Sequence, residues 1–145
     1  MKLYTIGFTK KTAQEFFEIL IKNHVERIID IRLNNDSQLA GFSKSKDLSY
    51  FLKKLANISY EHRPEFAPTK KILNGYKNKE ISWEDYEKEY ISLLEQRNIL
   101  RNVDYSLFNN ACLLCSEATE EKCHRRLFAE YLAKHNRNIT IIHLR

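Results

Sequence analysis

Strand-like apolar runs alternate with amphipathic helical stretches along almost the whole chain, and no other feature narrows its fold as far. The strands read as Leu3 to Phe8, Arg27 to Arg32, Ser59 to His62, Ala111 to Cys115 and Ile139 to Leu144. Between them, Phe16, Phe17, Leu20 and Ile21 recur at helical spacing behind an N-cap at Thr12. Leu48, Phe51, Leu52 and Leu55 mark a helix from Asp47 to Ala56. Pro68 opens a helix through Leu73 that Asn74-Gly75 would end or interrupt. Ser82-Trp83-Glu84-Asp85 resembles a capping box, from which a long helix runs toward Ile99. The last helix carries Leu127, Phe128, Tyr131 and Leu132. This order predicts an α/β fold: a mostly parallel sheet of about five strands covered by helices, Rossmann-like and three-layered.

At 145 residues the chain reads as one domain over 1–145, long enough to bury a core without disulfides. No repeat, low-complexity tract or linker interrupts it. No apolar run approaches the roughly 18 residues needed to span a membrane. The opening Met1 to Gly7 reads as a strand entering a turn rather than a signal peptide, so a cytoplasmic location is expected. Three cysteines point to free thiols, a metal site or a redox pair before a disulfide framework. The balance of 24 Lys and Arg against 19 Asp and Glu favours an anionic partner. It is also what a Lys-, Asn- and Ile-rich composition produces without selection for binding. Nothing in the pattern sets an oligomeric state.

In open parallel sheets the loops after the strand C-termini gather at one edge. Here those loops begin at Gly7-Phe8-Thr9, Asp30-Ile31-Arg32, His62-Arg63-Pro64-Glu65 and Cys115-Ser116-Glu117, and every one carries polar or ionisable groups. Residues 33–46 read as a long loop with a functional role.

The chemistry concentrates between Cys115 and Arg126. Cys112 and Cys115 form a C-x-x-C, but three residues apart in a strand they face opposite sides, about 10 Å apart. One metal cannot reach both, which leaves Cys112 a core residue. Cys115, at the strand end, is either a buried thiol or a nucleophile whose pKa is lowered by a helix N-terminus and by Arg32, Arg125 or Arg126. Glu117 is a candidate general base, or a plain salt-bridge carboxylate. If the last helix is capped by Thr119, Cys123 joins Leu127 and Tyr131 on its buried face. If it begins nearer Cys123, then backbone N–H groups with Arg125 and Arg126 form an anion site beside Cys115. His124 would then move protons. Asp30 and Arg32 share a strand face and read as a salt bridge, or as a phosphate or carboxylate clamp with Asp30 fixing Arg32 or acting as base. Thr9 stands ready as a further anion contact. Tyr60, His62, Tyr76 and Tyr90 offer hydrogen bonds or stacking.

Three mechanisms compete: thiolate attack with His124 or Glu117 moving protons, redox cycling of Cys115 with Cys123, or zinc held by Cys115, Cys123 and one of His124, His62 or His143. The spacing matches no standard zinc or cysteine-phosphatase signature.

Thr5-Ile6-Gly7, Asp30-Ile31-Arg32, Gly41-Phe42 and Leu114-Cys115-Ser116-Glu117 with Cys123-His124-Arg125 resemble the bacterial family catalogued as domain of unknown function 488. Pro64-Glu65-Phe66-Ala67-Pro68-Thr69 and Trp83-Glu84-Asp85-Tyr86 look like one of its subgroups. Phe8 stands where many members carry His. The resemblance implies an α/β domain with the cysteine motif as its hallmark, and carries over no reaction. Asp30-Ile31-Arg32 also looks like the opening of a rhodanese domain, but no rhodanese-type cysteine loop follows.

The leading expectation is a thiol-dependent hydrolase or transferase acting on an anionic small molecule, a nucleotide or nucleic acid. Cys115, Glu117, His124 and Asp30 would be catalytic, and Arg32, Cys123, Arg125, Arg126 and Thr9 would bind the anion. No cofactor is required. The alternative is a non-catalytic nucleic-acid- or protein-binding module whose Cys and His side chains pack or hold zinc.

Overall fold

The computed structural model describes residues 1–35 and 38–145. The loop expected over 33–46 therefore falls partly outside the described residues, at Asp36 and Ser37. Five strands form one sheet: β1 (Lys2–Gly7), β2 (Arg27–Asp30), β3 (Ser59–His62), β4 (Ala111–Cys115) and β5 (Thr140–His143). All pairings are parallel, in the order β3-β2-β4-β1-β5. Among the described residues six α-helices accompany them: α1 (Ala13–Lys22), α2 (Ser45–Phe51), α3 (Lys70–Lys77), α4 (Trp83–Gln96), α5 (Ile99–Asn102) and α6 (His124–His135). A π-helical turn, Leu52–Ala56, extends α2 until Asn57 stops it in the left-handed region. None of the described helices is long and apolar enough to cross a membrane.

Side-chain alternation along each strand divides the core between two faces. Leu3, Ile29 and Leu113 pack with Phe66, Tyr90 and Phe128 on the face covered by α3–α6. Tyr4, Ile28 and Cys112 pack with Phe16, Leu20 and Leu48 on the face covered by α1 and α2. Cys112, fully buried there, is a core residue as expected, and burial pushes its thiol pKa far up.

Local sequence accounts for most helix boundaries. Thr12 closes a capping box with Glu15 at the start of α1. The Ser82 hydroxyl accepts from the Asp85 amide at the start of α4. The expectation for α3 needs correction: the helix begins after an N-cap at Thr69 and continues through Asn74-Gly75 to Lys77. Gly75 is buried within the helix, and an added Cβ would make only an ordinary contact with Ile81, at 3.4 Å.

Strand order places the functional edge. From β1 the chain crosses to β2 by way of α1 on one face, and from β4 it leaves toward β5 by way of α6 on the other. β1 and β4 are neighbours, with Gly7 opposite Cys115, so the connections part at their C-termini and leave a crevice there. The two loops are tied together: both the Thr9 amide and its hydroxyl donate to the Ser116 carbonyl.

Candidate functional site

Cys115 ends β4 on the face covered by α4 and α6. Eight residues later Cys123 stands as the N-cap of α6 and His124 as its first residue, the later of the two starting points considered for that helix. Cys123 makes no side-chain capping bond, and its backbone is extended (φ −139°, ψ 141°). Helical neighbours diverge, but a cap residue outside the helix is free of that restriction. Both Cys123 and His124 therefore reach Cys115. One donor atom from each of the three residues lies within 4.8 Å of the other two, and all three side chains are buried.

Hydrogen bonds orient the imidazole. Nε2 is 2.7 Å from the Ile31 carbonyl oxygen, which can only accept, so this nitrogen carries a proton. Nδ1 then faces Cys115 Sγ at 3.6 Å. Arg125, with no exposed surface, lies behind the thiols. Its NH1 donates to the Glu117 carbonyl at 2.8 Å and to Cys123 Sγ at 3.6 Å. Its Nε and NH2 have no hydrogen-bond partner among the described residues, and none of the ion pairs found there includes it.

A buried guanidinium without a carboxylate is costly unless another anion compensates it. The neighbouring groups able to ionise are the thiols, and the site favours ionisation at Cys115. A hydrogen bond from Cys123 lowers the Cys115 pKa most, burial opposes it, and His124 and Arg125 add favourable charge; the balance lies well below the ordinary thiol value. Burial and the neighbouring Cys115 hold Cys123 correspondingly high. Burial also depresses the His124 pKa, but the Cys115 charge and hydrogen bond more than reverse this. The three shifts run in one direction, favouring the negative charge on Cys115 over Cys123 and the proton on His124.

These three side chains help line a cleft of about 820 Å³. Its rim carries four cations, Arg32, Lys70, Lys77 and Lys122, and one carboxylate, Glu117. Trp83 and Tyr86 line another part of it, stacked with centroids 4.7 Å apart and planes 17° from parallel. A second cavity, of about 770 Å³, lies among Arg27, Arg63, Arg97 and Ile99 and includes no member of the thiol–imidazole cluster.

The family model described as "Domain of unknown function DUF488" matches residues 12–132, a span that includes Cys115, Cys123 and His124. The chain belongs to the DUF488 family. Comparison with curated proteins and with solved structures gives no match.

The remaining candidate residues of this DUF488 chain divide by position. Asp30 is fully buried, and its carboxylate is saturated by the Arg32 amide, the Arg32 guanidinium at 2.8 and 2.7 Å, and the Tyr60 hydroxyl. It does not line the cleft, whereas Arg32 does. Arg32 also donates to the Ser43 carbonyl at 2.7 Å and lies 5.4 Å from the centre of the Phe8 ring. Asp30 thus holds Arg32 at the cleft wall. Asp30→Ala leaves that guanidinium buried and unpaired, a loss of about 3–5 kcal/mol. Urea denaturation checks this, and a loss below about 1 kcal/mol contradicts it.

Glu117 is exposed at the rim, while its carbonyl anchors Arg125. Thr9 joins the two loops rather than lining the cleft. Arg126 pairs with Glu87 at 3.1 Å and with Glu130 at 3.9 Å, outside the cleft lining. Sequence reading had not singled out Lys70, Lys77, Lys122, Trp83 or Tyr86 for the site. The signal for the first two was present: positions 70, 73, 74 and 77 share one helical face, cationic at both ends.

Proposed function

We propose that this DUF488 chain is an enzyme acting on an anionic substrate, a nucleotide or nucleic acid, through nucleophilic attack by Cys115. The observation that carries the reading is the Cys115 thiol 3.6 Å from His124 Nδ1 in a cleft lined by four cationic side chains. A cysteine lowered by a paired histidine is an activated nucleophile. Arg32, Lys70, Lys77 and Lys122 attract the anionic group, with Arg32 held in place by Asp30. The stacked Trp83 and Tyr86 offer a surface for a base. Arg125 stabilises the thiolate from behind. Thr9 and Arg126 support the anion site through the loop and the helix they secure.

In the first step the Cys115 sulfur bonds to the electrophilic centre of the substrate. The bond to the leaving group breaks with its electron pair, and His124 Nδ1 supplies the proton that group takes. In the second step a water gives its proton to His124 or Glu117 and attacks the thio-adduct, releasing product and restoring the thiolate. Water as acceptor makes the enzyme a hydrolase, and another nucleophile makes it a transferase.

The test is a panel of nucleotides, cyclic and linear phosphate esters and oligonucleotides, with turnover and acid-quenched adducts followed by mass spectrometry. An acid-quenched adduct on Cys115 that is present in the native protein, diminished in His124→Gln and missing from Cys115→Ala supports the reading. Turnover that persists in Cys115→Ala contradicts the nucleophile assignment. Binding without turnover or adduct across the panel leaves the non-catalytic module in its place.

A further inference from the structure

We infer that Cys115, Cys123 and His124 form a reversible zinc site whose fourth coordination position opens into the cleft. Zinc accepts thiolate and imidazole donors at about 2.3 and 2.0–2.1 Å, and at a tetrahedral angle such donors stand about 3.6 Å apart. Cys115 Sγ and His124 Nδ1 are 3.6 Å apart. All three donors fall within 4.8 Å of one another, close enough for one ion to draw them together. Two sulfurs and one nitrogen select a soft or borderline cation over magnesium or calcium.

The surrounding hydrogen bonds fit ligation. A zinc-bound histidine characteristically donates its other N–H to a carbonyl, and His124 Nε2 is 2.7 Å from the Ile31 carbonyl oxygen. Cys123 Sγ receives Arg125 NH1 at 3.6 Å, a contact a metal-bound thiolate would keep. All three ligands line the cleft, so a water or an anionic group can complete the coordination.

Charge makes the site reversible rather than structural. Two thiolates neutralise the ion, which leaves the buried Arg125 uncompensated beside it. Leaving that buried guanidinium without a compensating anion lowers affinity without removing the donors. The zinc site itself stands independently of catalysis, but its consequence rests on the proposed nucleophile: bound zinc occupies the Cys115 sulfur and switches the enzyme off.

The experiment titrates Zn²⁺ alone into metal-free, full-length protein, with free zinc followed by a competing chromogenic chelator and Cys115 alkylation by iodoacetamide followed in parallel. One zinc per chain is expected, with Cys115 alkylation slowed at least tenfold and restored by chelator. Cys123→Ser and His124→Gln should each weaken binding by more than about 100-fold, beyond the cost of losing a residue that only hydrogen-bonds to a ligand. Cys112→Ala should leave it unchanged. If either ligand variant fails to fold, the Co²⁺ spectrum of the native protein decides, since tetrahedral thiolate ligation gives sulfur-to-cobalt charge transfer. No binding, binding undiminished in the ligand variants, or Co²⁺ without charge transfer overturns the inference. Absent zinc binding with fast Cys115 alkylation defeats only the metal site. Zinc binding with slow alkylation of the metal-free protein defeats only the nucleophile.

Discussion

Cys123→Ala is expected to slow alkylation of Cys115 at pH 7 by about tenfold, because an ordinary thiol is only a few per cent ionised at that pH. The hydrogen bond from Cys123 is the largest influence lowering the Cys115 pKa, ahead of His124 and Arg125. Without it, burial gains ground and the proton returns to Cys115. A lowered thiol pKa keeps the thiolate at lower pH, so raising it removes thiolate near neutrality. Helix α6 should survive, since the Cys123 side chain makes no capping bond. Alkylation kinetics resolved by residue check the prediction, with Cys112→Ala as the control. An unchanged rate in Cys123→Ala would mean that His124 and Arg125 suffice to hold the charge.

Gly7→Ala should damage both stability and the site. Gly7 is opposite Cys115 in the register, and a Cβ there would overlap the Glu117 carbonyl oxygen. The obstacle is backbone, so no rotamer change relieves it. The same Cβ would approach Arg125 NH1 to 3.0 Å. The loop must move, taking with it the carbonyl that accepts from Arg125 at 2.8 Å. Overpacking against backbone places the cost near the top of the usual range, about 3 kcal/mol, which lowers the Tm by about 10 °C in a chain of this size. Thermal unfolding and Cys115 alkylation measured on the same variant should fall together. A fully stable variant with native Cys115 reactivity would contradict this account of the loop.

Local pattern carried the elements further than their arrangement. Strand periods and apolar runs revealed all five strands, and alternation correctly separated Cys112 from Cys115. The insertion of β4 between β2 and β1 left no local mark, because it depends on where α3–α5 pack after β3. Asn74-Gly75 misled because the pair favours turns in isolation, whereas α3, capped at Thr69 and buried at Ile72 and Gly75, runs through it to Lys77. The site was legible in residue types but not in their orientation. Cys123 lacks the oxygen that usually announces an N-cap, so the start of α6 stayed open between two positions. Arg125 and Arg126 look equivalent in sequence. One helical step, about 100°, sends the first beneath the thiols and the second out to Glu87. The imidazole–thiol contact spans eight residues of loop and belongs to tertiary structure alone.

The most direct test is the pH dependence of iodoacetamide labelling at each cysteine of the native, metal-free protein, located by mass spectrometry. Cys115 should label fastest, with a rate that persists well below pH 8.5, the region where an unperturbed thiol loses its charge. Cys112 should label only on unfolding, because it is fully buried. Slow labelling of Cys115, or a rate that falls away at or above pH 8.5, would make it a packing residue and remove the nucleophile from this site.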